Sequence, residues 1–533
     1  MKAVEAVGWV DAGRWSATPP EERLKLLKEI QANIERYFEE LVDADCEAKG
    51  IVRGEAANAF HEGTSVQSTI VPVASSVTGA IELYEGLVRG ESLEPLGISP
   101  VGDDRFDIDV SPRGKDRLLN GDRTDILRVK GQPRRSGPYD KPAGIIAVLG
   151  AGNYASAFEV IRALFFDGYA VVHKPHPLNV GADRVWEKVL EPLVAIRALS
   201  FCESEDGRAL TEDPRLTKIY FTGGTKTAKA IIEATGTELV SEAGGNNPCI
   251  VIPGDRPWTE KEIRHQALQI ATIAKINGGA ICGRVQTLVT SRHWPQRQEF
   301  LDAVAHALRE GTPAATTYYP GVNETFDRFR AKYPDATLIQ PVDEAPASRT
   351  LLVEDAGTDE FGIRNEAFCQ VISEVALDVE ARADVFTPAA VQFCNDRLLG
   401  TLAATILVDE DTKKAHASII DDAVTQMNYG AIGVNTMPPV IWLSPYLTWG
   451  GNEEGREFVS GRGNFGNLLG YENVEKSIVI SNFTSAAHLI ATSKKGWLDL
   501  SMRATRYTIN PTWSRLAELA GTALVGHFRR VEY

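Results

Sequence analysis

Leu24, Leu27, Ile30, Ile34, Phe38 and Leu41 recur at intervals of three and four residues. Ahead of them, Thr18-Pro19-Pro20-Glu21 combines an N-cap, a proline near the first turn and a glutamate at the capping-box position, predicting one long amphipathic helix. The texture changes over 99–141, which is rich in Asp, Arg, Gly and Pro. Short alternating pieces there, RFDIDV and DILRVK, predict a projecting hairpin between packed elements. From 143 the pattern changes again: AGIIAVL reads as a buried strand, SAFEVIRALFF as a helix, and AVVHK and TKIYF as further strands. Strands alternating with helices predict a parallel α/β sheet. Between 259 and 310 helical patterns surround a strand at TLVTS, and ATILV and IGVN continue the alternation into a second α/β unit. Near the end, Trp513, Leu516, Leu519, Ala520, Ala523 and Leu524 form an apolar stripe, predicting a helix that packs on the protein or on a neighbouring subunit.

Composition narrows the class. With 533 residues, 43% of them hydrophobic, the chain can bury large cores in three or four structural units. Fifty-six basic against 72 acidic residues leave a net charge of −16, which repels phosphate backbones and anionic lipid, so no nucleic-acid partner is expected. The start of the chain lacks the apolar core of a signal peptide and no run of about eighteen apolar residues occurs, so membrane association is not expected either. Six widely spaced cysteines, without CxxC or HExxH, suit a reduced, cytoplasmic setting and give no metal framework.

Gly150-Ala151-Gly152-Asn153-Tyr154-Ala155 satisfies the GxGxxG/A fingerprint between a strand and a helix, which suits a dinucleotide pyrophosphate. The acidic residue expected about 20 positions on is missing, because the next strand ends in His173-Lys174. The glycines could equally serve only a tight turn. A fuller account comes from taking this stretch with FTGGTKTAK at 221–229, SEAGGNNPCIV at 241–251 and GGAICG around Cys282. In order and spacing the four resemble the aldehyde dehydrogenase superfamily, from about residue 130 to about residue 480. NEAFCQV at 365–371, GAIGVNT, and TWGG followed by SGRGNFGNLLGY extend the likeness.

The resemblance implies an α/β fold with two parallel-sheet domains and a small β oligomerisation flap. A nicotinamide-dinucleotide-binding domain would take 1–110 and 142–250, a catalytic domain 251–450, and the flap 111–141 and 466–482, leaving a C-terminal extension at 483–533. A homodimer or homotetramer is implied. So is the chemistry: aldehyde oxidation needs a thiolate, donors for the oxyanion, a hydride acceptor and a base for thioester hydrolysis. By resemblance Cys282 is the nucleophile, Asn153 an oxyanion donor with the Cys282 backbone N–H, and Glu242 the base. Lys174 and Glu366 would hold the riboses, the N–H groups of Gly223 and Gly224 would meet the pyrophosphate, and Phe368 belongs to the segment around Glu366. The small residues Gly278, Gly279 and Ala280 are expected to let backbone approach substrate and cofactor.

Three departures stand out. Gly224 replaces the family's serine, and Cys369 and Gln370 replace a glycine and a proline, so that Cys369 could be a second thiol near the site. Pro177 stands where the family often has the glutamate that holds the adenosine 2′-hydroxyl; the cofactor is therefore NAD or NADP, with the balance toward NADP. Tyr154, Phe158, Trp442, Tyr446 and Trp449 lie near the motifs and favour a hydrophobic or aromatic aldehyde if they line the channel, though they could equally be core. Two alternatives stay open: a branch that passes the thioester to coenzyme A, and an inactive relative acting as a binding or structural protein. A cysteine hydrolase is disfavoured, as no histidine lies near Cys282 in the sequence.

Overall fold

The apolar runs IIAVL and AVVHK become strands because both faces are covered; every residue of Ile145–Leu149 is buried. The structure, a computed structural model, describes residues 1–313, 318–340, 349–357, 360–453, 458–461, 465–485, 487–488 and 496–528. Among the described residues, five strands form one all-parallel sheet in the spatial order Leu199–Phe201, Ala170–Lys174, Ile145–Leu149, Lys218–Thr222, Glu238–Glu242. Chain order reverses at Ile145–Leu149, whose neighbours are the next strand on one side and the fourth on the other. A ligand crevice is expected outside the carboxyl ends at such a switch point.

A second, eleven-stranded sheet carries the other half of the site. Its centre is parallel, running through Ala431–Val434, Ala403–Leu407, Pro248–Val251, Thr287–Ser291 and Val371–Leu377. At one edge Val474–Ile480 pairs antiparallel with Thr124–Lys130, followed by Arg105–Ser111 and Gly97–Val101. This meander therefore begins at Gly97, not at 111, and takes in strands expected to belong with the first unit. Nor does its hairpin project: Ile108, Val110, Leu127 and Val129 are fully buried against Leu402, Ala403 and Ala431.

The helical expectations need two corrections. Leu27, Ile30 and Ile34 do face the core, but the predicted helix is two, Pro20–Arg36 and Phe38–Lys49, broken at Tyr37. Thr18 does not cap it: its hydroxyl donates to Arg14 O (2.8 Å) and Pro19 takes the N-cap position. The C-terminal stripe is split, with Leu516 and Leu519 buried while Trp513 and Leu524 are exposed. The sequence pattern gave no warning of the 30-residue helix Ala59–Val88, which is buried on several sides and so shows no single apolar stripe. It packs against Pro20–Arg36, Ala157–Phe165 and helix Trp497–Ile509. No described helix is long and apolar enough to cross a membrane.

Candidate active site

Cys282 sits just beyond the end of helix Glu260–Lys275, whose start is fixed by a capping box between Thr259 and Glu262. Past the helix, Asn277, Gly278 and Gly279 all take positive φ (56°, 66° and 82°), folding the chain back before the cysteine. A Cβ on Gly279 would lie 2.9 Å from Cys369 C and 3.0 Å from Gln370 N. Gly279 thus serves the packing of this loop on the backbone of 369–370. Side-chain amides tie the loop down. Asn277 Nδ2 donates to Asn153 O (2.8 Å), Asn153 Nδ2 donates to Ala280 O (3.0 Å), and Asn247 Nδ2 donates to Cys282 O and to Arg284 O (2.9 Å). Asn153 keeps a second amide hydrogen.

The Cys282 thiol is half-buried; burial and the neighbouring Glu242 charge push its pKa well up, opposed by the Gly283 N–H at the sulfur. Glu242 ends strand Glu238–Glu242 and is 1% exposed. Burial and then the Glu366 charge push it up to about 7, against the pull of the Cys282 thiol and the Trp449 indole. Its Oε1 has no hydrogen-bond partner among the described residues. A buried carboxyl near 7, facing a thiol, is placed to exchange protons near neutral pH.

All eight residues singled out in the sequence line one cavity of about 860 Å³: Cys282, Glu242, Asn153, Lys174, Gly223, Gly224, Glu366 and Phe368. Gly224 is the N-cap of helix Thr225–Ala234 and offers no side-chain cap, so the helix's first N–H groups are left for an anion. The glycine-rich turn is different. Gly150 N–H donates to Lys174 O (2.8 Å), Ala151 N–H to Ser156 Oγ (2.8 Å), and a Cβ on Gly152 would meet the His176 ring at 2.7 Å. Those glycines shape a turn; the Gly223 N–H, expected to meet a pyrophosphate, is likewise taken, donating to Glu242 O (3.0 Å), so the N–H groups left are those from Gly224 at the start of helix Thr225–Ala234. Gly244 is required by contact: a Cβ there would overlap the Glu366 carboxyl, which burial pushes up to about 7. Phe368 holds φ 48° with its ring 5.0 Å from that of Tyr319. Lys174 is partly buried, which lowers its pKa. Cavity size, free helix N–H groups, Lys174 and Glu366 together fit a nicotinamide dinucleotide.

A second cavity of about 120 Å³, lined almost entirely by apolar groups, also reaches Asn153 and Cys282. Of the five aromatics noted in the sequence, Tyr154, Trp442 and Trp449 line it; Phe158 is core, and Tyr446 is bonded to Glu82. Cys369 is not a second site thiol. It is 1% exposed among Val322, Phe326, Phe329 and Val371, and burial pushes it up to about 11.

One buried group behind the site escaped the sequence reading. Glu159, 1% exposed, accepts from Thr222 Oγ1 (2.6 Å) and Tyr154 Oη (3.1 Å) beside Glu242, and burial pushes it up to about 7. A glutamate inside the apolar run AFEVIRALFF was the available signal. Its folded pKa lies above the unfolded value, so the native state binds more protons and loses stability as pH rises from about 4.5 to about 7. Glu159→Gln, which keeps an acceptor for Thr222, is therefore expected to raise the melting temperature at about pH 8 more than at about pH 5, as calorimetry would show.

Residues 122–325 match the family model described as the aldehyde dehydrogenase family. Lactaldehyde dehydrogenase from Escherichia coli is 17% identical at a TM-score of 0.63, with 91% of this chain and 92% of that one covered. Aldehyde dehydrogenase 21 from Physcomitrella patens, solved with the reaction product succinate, is 18% identical at 0.61, with 90% of each chain covered. NADP-dependent glyceraldehyde-3-phosphate dehydrogenase from Bacillus halodurans C-125, complexed with NADP, is 15% identical at 0.60, covering 90% and 91%. Over residues 122–325 in sequence, and over nine-tenths of its length in fold, the chain is similar to the aldehyde dehydrogenases. The aldehyde dehydrogenase fold accounts for both sheets. The larger cavity has the size and donors to suit a dinucleotide, and the smaller one meets it at Asn153 and Cys282.

Proposed function

We propose that the protein oxidises a hydrophobic or aromatic aldehyde to the carboxylic acid, using NADP in preference to NAD. The observation that carries this reading is the buried Glu242 carboxyl facing the Cys282 thiol where the two cavities meet. Cys282 loses its proton to solvent, and its sulfur, as thiolate, adds to the carbonyl carbon. The oxyanion is held by the second Asn153 amide hydrogen and the Cys282 backbone N–H. The nicotinamide, when bound, supplies the hydride acceptor that turns the thiohemiacetal into a thioester. Glu242 then takes a proton from water, whose oxygen attacks the thioester, and the acid leaves as the C–S bond breaks. Lys174 and Glu366 would hold the riboses, the N–H groups from Gly224 at the start of helix Thr225–Ala234 the pyrophosphate, and Phe368 the nicotinamide end.

The test is an aldehyde panel with NAD and NADP in parallel, following reduced nicotinamide and the acid released. Acid formed without coenzyme A supports hydrolysis; turnover only with coenzyme A would point to the acylating branch, and no turnover to an inactive relative. For NADP, Pro177 removes a carboxylate that would repel a 2′-phosphate, and Arg208 lines the same cavity as Lys174, with Gly207 packed on the Lys174 chain. Arg208→Ala is expected to raise KM for NADP about tenfold, the loss of one exposed charge-assisted bond, and leave KM for NAD nearly unchanged. Equal effects on both would remove Arg208 from the reading. Six unpaired cysteines support a reduced, cytoplasmic compartment. The exposed edge strand Gly97–Val101 supports assembly into a homodimer or homotetramer, which sedimentation would check.

A further inference from the structure

The C-terminal segment enters the site. Helix Trp497–Ile509 lies along Ala59–Val88, and Gly63 is what lets it: a Cβ there would lie 2.9 Å from the Trp497 ring and 3.1 Å from Leu498 Cα. Gln67 Nε2 donates to Ser501 Oγ (3.0 Å), Trp497 Nε1 donates to Thr64 Oγ1 (3.4 Å), and the indole stacks on Phe60 with ring centres 5.6 Å apart. Trp497 is 2% exposed, so the ring is held in place from several sides. It also lines the small apolar cavity that reaches Cys282, together with Tyr154, Trp442 and Trp449.

We propose that Trp497 is a specificity-determining residue, limiting the aldehyde's apolar tail to about one aromatic ring or a short alkyl chain. The scale follows from volume: the cavity measures about 120 Å³, and an apolar cavity of roughly 150 Å³ is enough to hold benzene. The tail meets aromatic walls, with Thr64, Gln67 and Ser68 the polar side chains that Ala59–Val88 adds to the lining. A charged or strongly polar tail would be desolvated there with few partners. A long tail would have to displace the Trp497 ring, which Phe60 and the backbone at Gly63 hold in place. Helix Trp497–Ile509, which lies beyond the motifs that resemble the family, thus supplies a wall of the substrate site.

The proposal rests on Cys282 as the reacting thiol, and its test separates the two. In the full-length protein, Trp497→Ala is expected to raise the ratio of kcat/KM for decanal to kcat/KM for propanal about tenfold or more, since each buried methylene carries discrimination of that order. Trp497→Phe, which keeps the stack on Phe60, should give a smaller shift in the same direction and guards against a misfolded alanine variant. An unchanged ratio in both variants overturns the proposal. A second readout needs no hydride transfer: alkylation of Cys282 by N-octylmaleimide relative to N-methylmaleimide, followed by mass spectrometry, should rise in the variants in the same order. If no aldehyde is oxidised, the proposed function falls, while this labelling ratio still supports or overturns the role of Trp497.

Discussion

Cys282→Ala is expected to abolish formation of reduced nicotinamide with every aldehyde, a loss on the order of 10⁴-fold or more, because no other group can form the covalent intermediate. The described site offers no substitute thiol. Cys369 lies in an apolar cluster, and Cys249 and Cys394 are buried at 0% and 1% exposure. Cys369→Ala is the control, expected to retain turnover. Binding of NADP, followed by quenching of protein fluorescence, should persist in Cys282→Ala, since the helix N-terminus at Gly224 and Lys174 are untouched. Residual turnover above about a hundredth of wild type would sink the covalent route, because a thiol-dependent step cannot survive loss of the thiol.

Glu242→Gln should act later in the cycle. With the base removed, the thioester forms but hydrolyses slowly, so stopped-flow traces should show a burst of about one reduced nicotinamide per active site. The steady rate should then be lower by about 10²–10⁴-fold, the usual contribution of a general base. The pH profile gives an independent check. A base must be deprotonated to act, and burial moves Glu242 up to about 7, so the wild-type rate should rise with pH through about 7 and then level. Glu159 and Glu366 are pushed to the same region by the same cause, and the three carboxyls titrate as a cluster. The rising limb should disappear in Glu242→Gln. A limb that survives would assign the titration to Glu159 or Glu366. A rate lost without any burst would place Glu242 before hydride transfer.

Much of this was legible along the chain. AGIIAVL, AVVHK and TKIYF announce buried parallel strands because alternation fails and both faces are apolar, a property each run carries locally. Asn153, Lys174, Gly223 and Glu242 are legible for a related reason: each stands at or just after the carboxyl end of a strand, where a doubly wound sheet opens its crevice. The GxGxxG match was the misleading local signal, since its N–H groups are consumed by Lys174 O and Ser156 Oγ.

What stayed hidden depends on contacts between residues far apart in sequence. Gly279 is a glycine because the backbone at Cys369 and Gln370 presses on it, about 90 positions later. Nothing near Tyr154, Phe158 or Trp442 says which rings will pack and which will face the thiol; that follows from how Ala59–Val88 and Pro439–Leu443 close on the loop around Cys282. Glu159 looks like one polar residue on a helix until Thr222 and Tyr154 meet it. Trp497 stands more than 200 residues from Cys282 and beyond the family-like motifs, yet both line one cavity. Residue type and local period thus name the thiol, the base and the strands that carry them. The shape of the substrate space arises where distant helices exclude water against one another, and a hydrophobic contact, being non-directional, leaves no mark in the short-range pattern.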